Sequence, residues 1–288
     1  MSSLRLQSRG AFAHLQRGII FSAMSALCIG LTVPAAFAQT AEKPFEPVVG
    51  QEGKDVIWVP TPHALTEKML DMAKVTSTDF VMDLGSGDGR NVIAAAKRGA
   101  RGMGVEYNPK MVDYARQMAE KEGVADKAQF VQGDMYEADI SEASVMALFL
   151  LPENLRRLTP KFLTLKPGSR IVANGFGIDG WEADETGRSS GECGSWCTAY
   201  LYIVPARVAG TWQLPQGELA LEQKFQMLSG SFKNGTAVTA ISNARMRGDQ
   251  ITFTAGDTTY SGRVNGDSME GRSSGMRAGA WRATRSAN

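Results

Sequence analysis

Between residues 64 and 176, short apolar runs alternate with stretches of helical spacing. Ala64, Leu65, Met69, Leu70 and Met72 share one helical face. They follow the apolar run Val56-Ile57-Trp58-Val59 and the turn signal Pro60-Thr61-Pro62. Phe80-Val81-Met82 reads as a buried strand, and Asn91-Val92-Ile93-Ala94-Ala95-Ala96 as the start of a helix. Gly102 to Val105 is another apolar run. Pro109 suits the first turn of a helix carrying Met111, Val112, Ala115, Met118 and Ala119, with Gly123 as its stop. The run from Val145 to Leu151 predicts a fully buried central strand. Leu155, Leu158, Phe162 and Leu163 make a further helical face, and Pro167-Gly168 turns into the strand Arg170-Ile171-Val172-Ala173. This alternation predicts an α/β fold, a doubly wound and mostly parallel sheet with helices on both faces.

The pattern changes near Gly210. From Ala206 to Asn288 helical periodicity disappears, and short alternating segments such as Gln250-Ile251-Thr252-Phe253-Thr254 take over. Glycine-containing turns lie between them at Lys233-Asn234-Gly235, Gly256-Asp257 and Asn265-Gly266-Asp267. The expectation is a small antiparallel β module, a sheet or barrel. Its ten Lys/Arg against six Asp/Glu read as a solvated face.

The candidate chemistry begins where the first sheet strand ends. Asp83-Leu84-Gly85-Ser86-Gly87-Asp88-Gly89 joins a strand to a helix through three alternating glycines. Such a turn lets backbone approach a ligand and aims unpaired N–H groups at its polar end. A nicotinamide fingerprint would need its third glycine at Arg90, so that spacing fails. The acid two places before the first glycine suits a ligand with an amino-acid end, whose ammonium Asp83 can meet. Glu106, at the tip of the next strand, can accept both hydroxyls of a ribose. Phe130-Val131-Gln132-Gly133-Asp134 repeats the pattern of an apolar run ending in an acid.

Over about residues 56–185 the chain resembles the class I S-adenosylmethionine (SAM) methyltransferases, with a Rossmann-like fold. Within that class it is most similar to seven-strand protein-lysine methyltransferases and related small bacterial enzymes. The likeness rests on Val59-Pro60-Thr61-Pro62, the run from Asp83 to Arg90, Gly104-Val105-Glu106 and Gly133-Asp134. It implies SAM as cofactor, held by Asp83, Gly85, Ser86, Gly87, Gly89, Glu106 and Asp134, with Asp134 accepting from the adenine amino group. Thr61, Tyr136, Glu153 and Asn174 are candidates around the methyl acceptor, because the topology of that class places their segments at the same sheet edge. Trp181 and Trp196 are candidate pocket walls, with core packing as the other reading of each.

The segment after the predicted fourth strand reads Leu150-Leu151-Pro152-Glu153-Asn154, without the asparagine-rich segment of the histone-lysine methyltransferases that belong to the seven-strand class. No Asn/Asp-Pro-Pro-Tyr or Pro-Cys sequence is present, which disfavours adenine, glutamine-amide and cytosine-C5 methylation. Beyond residue 38 the sole histidine is His63, read as structural beside its proline turn. The expectation is methyl transfer to a protein lysine. A small-molecule acceptor, or an exported binding or assembly protein reusing the fold, stands as the alternative.

Composition adds a location. The 288 residues carry a formal net charge of +1, so no basic surface suited to nucleic acid is expected. The first 38 residues contain Arg5, Arg9 and Arg17 and no acid. An uncharged stretch from Gly18 then ends in Ala36-Phe37-Ala38 before Gln39. That is the layout of a cleaved signal peptide, with a membrane anchor or a mitochondrial presequence as the competing readings. Cleavage would leave a polar entry segment over 39–55, a methyltransferase domain over 56–205 and the β module over 206–288. It would also leave a periplasmic or secreted protein with no membrane span and an envelope protein as a candidate acceptor. Cys193 and Cys197 would then be the only cysteines, spaced for a small disulfide ring in an oxidising compartment. A zinc site lacks a second cysteine pair.

Overall fold

The computed structural model describes residues 44–286, Glu192 excepted. The signal-peptide reading of residues 1–38 therefore lies outside the described residues.

The α/β part runs α1 (His63–Met72), β1 (Phe80–Leu84), α2 (Arg90–Lys97), β2 (Arg101–Glu106), α3 (Pro109–Lys121) and β3 (Ala128–Gln132). It continues with β4 (Val145–Leu148), α4 (Pro152–Phe162), β5 (Arg170–Asn174), β6 (Glu185–Arg188) and β7 (Thr198–Ile203). The seven strands order as β3-β2-β1-β4-β5-β7-β6. The first five are parallel, and β7 pairs antiparallel with both β5 and β6. The order reverses between β1 and β4, where a crevice opens beyond the carboxyl ends of the strands.

The apolar runs seen in the sequence are buried from both sides. Along β1 the side chains alternate, as a period of two requires. Met82 and Leu84 join Met146, Leu148 and Ile171 under Leu155, Leu158 and Phe162 of α4. Val81 faces the other way with Val145, Ala147 and Val172, under Leu65, Met69 and Leu70 of α1 and Ala94 and Ala95 of α2. Asp83 falls on this second face, beneath α1 and α2. At the opposite end of β1, buried Asp79 accepts from Thr76 N and Ser144 Oγ and pairs with Arg170, tying β1, β4 and β5 together. Burial pushes its carboxyl up, but these donors outweigh that and hold it below the ordinary value.

The C-terminal strands close into an eight-stranded antiparallel barrel. They are β8 (Gly210–Leu214), β9 (Gly217–Lys224), β10 (Met227–Asn234), β11 (Ala237–Arg247), β12 (Gln250–Ala255), β13 (Thr258–Asn265), β14 (Ser268–Gly275) and β15 (Gly279–Arg285). Each pairs with its sequence neighbour, and β15 returns to β8 through Thr284 opposite Gln213. Gly235, Gly248, Gly256 and Gly266 open four of the hairpin turns at φ of +60°, +62°, +57° and +57°, a conformation that costs glycine little. The interior is packed rather than hollow. Trp212, Phe232, Phe253, Tyr260 and Trp281 fill it, with Phe253 stacked on Tyr260 at 4.6 Å.

The barrel is fastened to the sheet by side chains. Trp181 stacks on Phe225 at 5.0 Å, and Gln226 Nε2 donates to Glu182 O at 2.6 Å. The buried carboxylate of Asp184 meets Arg245 and accepts from Ile203 N. No helix among the described residues is long and apolar enough to cross a membrane.

Candidate active site

Three glycines carry the chain from β1 into α2. Gly85, Gly87 and Gly89 have φ of +72°, +54° and +81°, so each second residue takes a left-handed backbone. Gly85 N and Ser86 N both donate to Val105 O, which pins the turn to β2. A Cβ at Gly87 would lie 2.4 Å from the indole nitrogen of Trp58, so only glycine lets that ring lie on the turn. No side chain caps α2, whose N-cap is Gly89. Arg90 N donates to Asp88 Oδ1 at 3.4 Å, and the N–H groups that follow in the first turn can meet a polar ligand end.

The three strand-end acids occupy different environments. Asp83 is 3% exposed and accepts from Asn91 Nδ2 at 3.0 Å. Asn91 is itself oriented by Thr66 Oγ1, which donates to its amide oxygen at 2.9 Å. Burial pushes the Asp83 carboxyl well above its ordinary value; Asn91 opposes the rise, while the charges of Glu106 and Asp88 add to it. No cation pairs with Asp83 among the described residues. Glu106 spans the crevice, accepting from Gly87 N at 3.0 Å and Asn108 N at 2.9 Å, one with each oxygen. Each oxygen retains acceptor capacity for a hydroxyl. Asp134 accepts from Tyr136 N at 2.9 Å and pairs with Lys54, and both interactions hold its carboxyl below the ordinary value, Lys54 most strongly.

SAM fits this donor set. The buried Asp83 carboxyl, with no protein cation beside it among the described residues, suits an ammonium, and the lone pairs left on Glu106 suit a diol. Ser86 Oγ is buried and unpartnered beside them. A Cβ on Gly104 would lie 2.5 Å from that hydroxyl, so β2 needs glycine there to leave room for it.

A loop closes the crevice from above. Gly50 N donates to Trp58 O and Trp58 N to Gln51 O, making a compact loop over residues 50–58. Gln51, Lys54, Val56 and Trp58 line one wall of the pocket whose other walls are Gly85, Glu106, Tyr107, Met111, Asp134 and Phe149. On sequence alone residues up to 55 read as a polar entry segment without site residues, and Val56 to Val59 as an apolar run before the proline turn. Asn91 and Asn154 also escape the sequence; their mark is a polar residue within the apolar face of a helix.

The four acceptor candidates do not come together. Asn174 Nδ2 donates to Thr61 Oγ1 at 3.4 Å, and both residues are buried. Arg90 holds Thr61 by donating to its carbonyl at 2.6 Å while gripping Asp88 through two nitrogens. Tyr136 forms a separate pair, its hydroxyl accepting from Asn154 Nδ2 at 2.7 Å with Arg157 over its ring. Glu153 stands in solvent at the start of α4, paired with Arg156, which lowers its carboxyl. Its neighbour Asn154 is the residue of that segment turned inward. Asn154 Oδ1 and Asn174 Oδ1 are both buried without a donor. His63 is exposed at the first position of α1. Trp181 belongs to the core and to the barrel contact, whereas Trp196 is half-buried beside Phe149 and Phe176.

Comparison with known proteins matches the geometry. The model of the ANTKMT methyltransferase domain matches residues 83–185. A protein-lysine N-methyltransferase of Saccharolobus islandicus is 42% identical over 153 residues, covering 52% of this chain and 94% of that protein. An adenine nucleotide translocase lysine N-methyltransferase of Mus musculus is 35% identical over 104 residues, 35% of this chain and 45% of that protein. Among solved structures, an RNA methyltransferase from Salinibacter ruber in complex with S-adenosylhomocysteine is 43% identical. It covers 52% of this chain and 96% of that one, at a TM-score of 0.49. These matches cover about half of this chain or less.

Proposed function

This chain belongs to the class I SAM-dependent methyltransferases, among the relatives that carry the ANTKMT methyltransferase domain, and from that premise we propose that it methylates the ε-amine of protein lysines. The observation that carries the reading is the 42% identity to a protein-lysine methyltransferase along 94% of that enzyme's length. The site is compatible with it. SAM, when bound, supplies a methyl group already activated on a sulfonium, so the protein's part is orientation and exclusion of water.

Asp83, Ser86 and the turn from Gly85 to Gly89 would hold the amino-acid end, Glu106 the ribose and Asp134 the adenine. The loop over residues 50–58 shields this side of the crevice from solvent. A lysine acceptor must shed a proton before it reacts, and burial favours the neutral amine. The unpartnered Oδ1 of Asn174 can accept an N–H from such an amine. We further place the reaction in the cell envelope. That reading rests on the acid-free leader ending at Ala38, and a disulfide between Cys193 and Cys197 is in keeping with it.

Incubating the protein with methyl-labelled SAM and envelope proteins, then analysing hydrolysates for N-methyl-lysine, tests the proposal. Label should appear in methylated lysine with wild type and vanish with the double variant Asp83→Ala, Glu106→Ala. Label confined to RNA or to small molecules would overturn the acceptor class.

A further inference from the structure

Trp196 sits inside the ring closed by the Cys193–Cys197 disulfide, and both cysteines are buried. The ring is tied down at both ends: Trp196 N donates to Cys193 O, and Ser189 N to Cys197 O, each at 2.9 Å. The indole is half-buried and packs against two rings that leave the sheet at adjacent strand ends. Phe149 follows β4 and lies 5.4 Å away; Phe176 follows β5 and lies 5.3 Å away. Gly175 passes directly beneath the indole, where a Cβ would come within 2.9 Å of it. One residue back, Asn174 is fully buried with its Oδ1 unpartnered. Phe149 also lines the pocket with Gly85, Glu106 and Asp134, so the aromatic corner adjoins the cofactor crevice.

Phe176 packs in part against the core beneath α4, and all three rings stay half-buried beyond the ends of β4 and β5. Their edges and faces offer an apolar wall of negative quadrupole, which suits an alkyl chain ending in a cation. We propose that Phe149, Phe176 and Trp196 form the subsite for the acceptor's lysine side chain, with Trp196 as its outer wall. The aliphatic stem lies along the rings and the amine reaches inward toward Asn174. The disulfide sets where that wall stands. This inference deepens the lysine reading and rests on it for the acceptor's chemistry.

The test uses the full chain, S-adenosylhomocysteine or SAM, and a peptide with one lysine between leucines, beside its norleucine counterpart. Trp196→Ala should raise KM for the lysine peptide about tenfold while leaving cofactor affinity by calorimetry unchanged. Trp196→Phe should keep most of the wild-type KM. In protein labelled with 5-fluorotryptophan, the resonance missing from Trp196→Phe identifies Trp196. It should shift with the lysine peptide and not with norleucine. A stationary resonance together with an unchanged KM in Trp196→Ala overturns the subsite even where lysine is methylated. A shifting resonance without transfer to any lysine upholds the subsite as a binding site and sinks the lysine reaction. A stationary resonance without transfer sinks both.

Discussion

Lys54 Nζ lies 2.5 Å from Asp134 Oδ2, so the carboxylate assigned to the adenine amino group already has a partner from the loop over residues 50–58. The same ammonium stands 4.9 Å from the centre of the Tyr107 ring. Adenine would then share the carboxylate with Lys54, whose ammonium draws on the same negative charge. Lys54→Met should tighten cofactor binding several-fold at low ionic strength. The gain should shrink in high salt, because charges at the mouth of a crevice are screened. Calorimetry at two salt concentrations reads both effects, and weaker binding by the variant would make Lys54 a ligand of the cofactor instead.

Glu106 has a double task. It holds Gly87 N and Asn108 N in place and offers its remaining lone pairs to the ribose. Glu106→Ala should weaken SAM binding by about 2–3 kcal/mol, the scale of two charge-assisted hydrogen bonds. Glu106→Gln should lose nearly as much, since its NH2 would face a backbone donor where the carboxylate accepts. A glutamine variant with wild-type affinity would show that neither clip matters.

Asp83 places the apo fold and the cofactor in opposition. Its folded carboxyl titrates well above the unfolded value because it is buried. Between those two values the folded protein keeps a proton that the unfolded chain has lost. Apo stability therefore falls as pH rises through that window. Asp83→Asn retains an oxygen for Asn91 and removes the buried charge. The apo variant should melt higher than wild type at neutral pH, by about 2–4 °C for each kcal/mol recovered. The difference should vanish below about pH 3, under the unfolded carboxyl's ordinary value, where both folded and unfolded carboxyls are protonated. The variant should also lose cofactor affinity. Wild-type affinity should rise with pH above the ordinary carboxylate range, as the carboxylate that meets the ammonium forms. A lower melting point at neutral pH would mean that the charge is already compensated.

The parts of the molecule differ in how far the sequence discloses them. Phe80-Val81-Met82 and the run from Val145 are legible as strands because burial on both faces leaves no polar position to confuse the period, although the strand read as far as Leu151 ends at Leu148 and Leu151 caps α4. Asp83, Glu106 and Asp134 are legible because each acid follows a short apolar run at or just beyond a strand's carboxyl end. The turns opened by Gly256 and Gly266 are legible too, but closure of the barrel is not. It depends on Thr284 meeting Gln213 some seventy residues away, which no local pattern records. The loop carrying Lys54 and Trp58 is held by backbone bonds and by contacts to the glycine turn, so its sequence shows neither period. Chemistry alone favours Glu153 over Asn154. The helix turns Asn154 inward and leaves Glu153 in water, a choice set by the apolar face of Leu155 and Leu158.

Reduction of the Cys193–Cys197 disulfide should separate stability from acceptor recognition. A ring this short constrains few unfolded conformations, so its loss should cost about 2 kcal/mol at most by the chain-entropy argument. The ring nevertheless carries Trp196 against Phe149, Phe176 and the backbone of Gly175. Freed of the cross-link, Trp196 loses the fixed position from which it walls the proposed subsite. The double variant Cys193→Ser, Cys197→Ser should bind SAM like wild type, melt only slightly lower and show a several-fold higher KM for a lysine peptide. Mild reductant should reproduce that phenotype in wild type and change nothing in the variant. Equal KM values before and after reduction, with alkylation confirming two free thiols, would show that the packing of Trp196 against its neighbouring rings holds the corner without the cross-link.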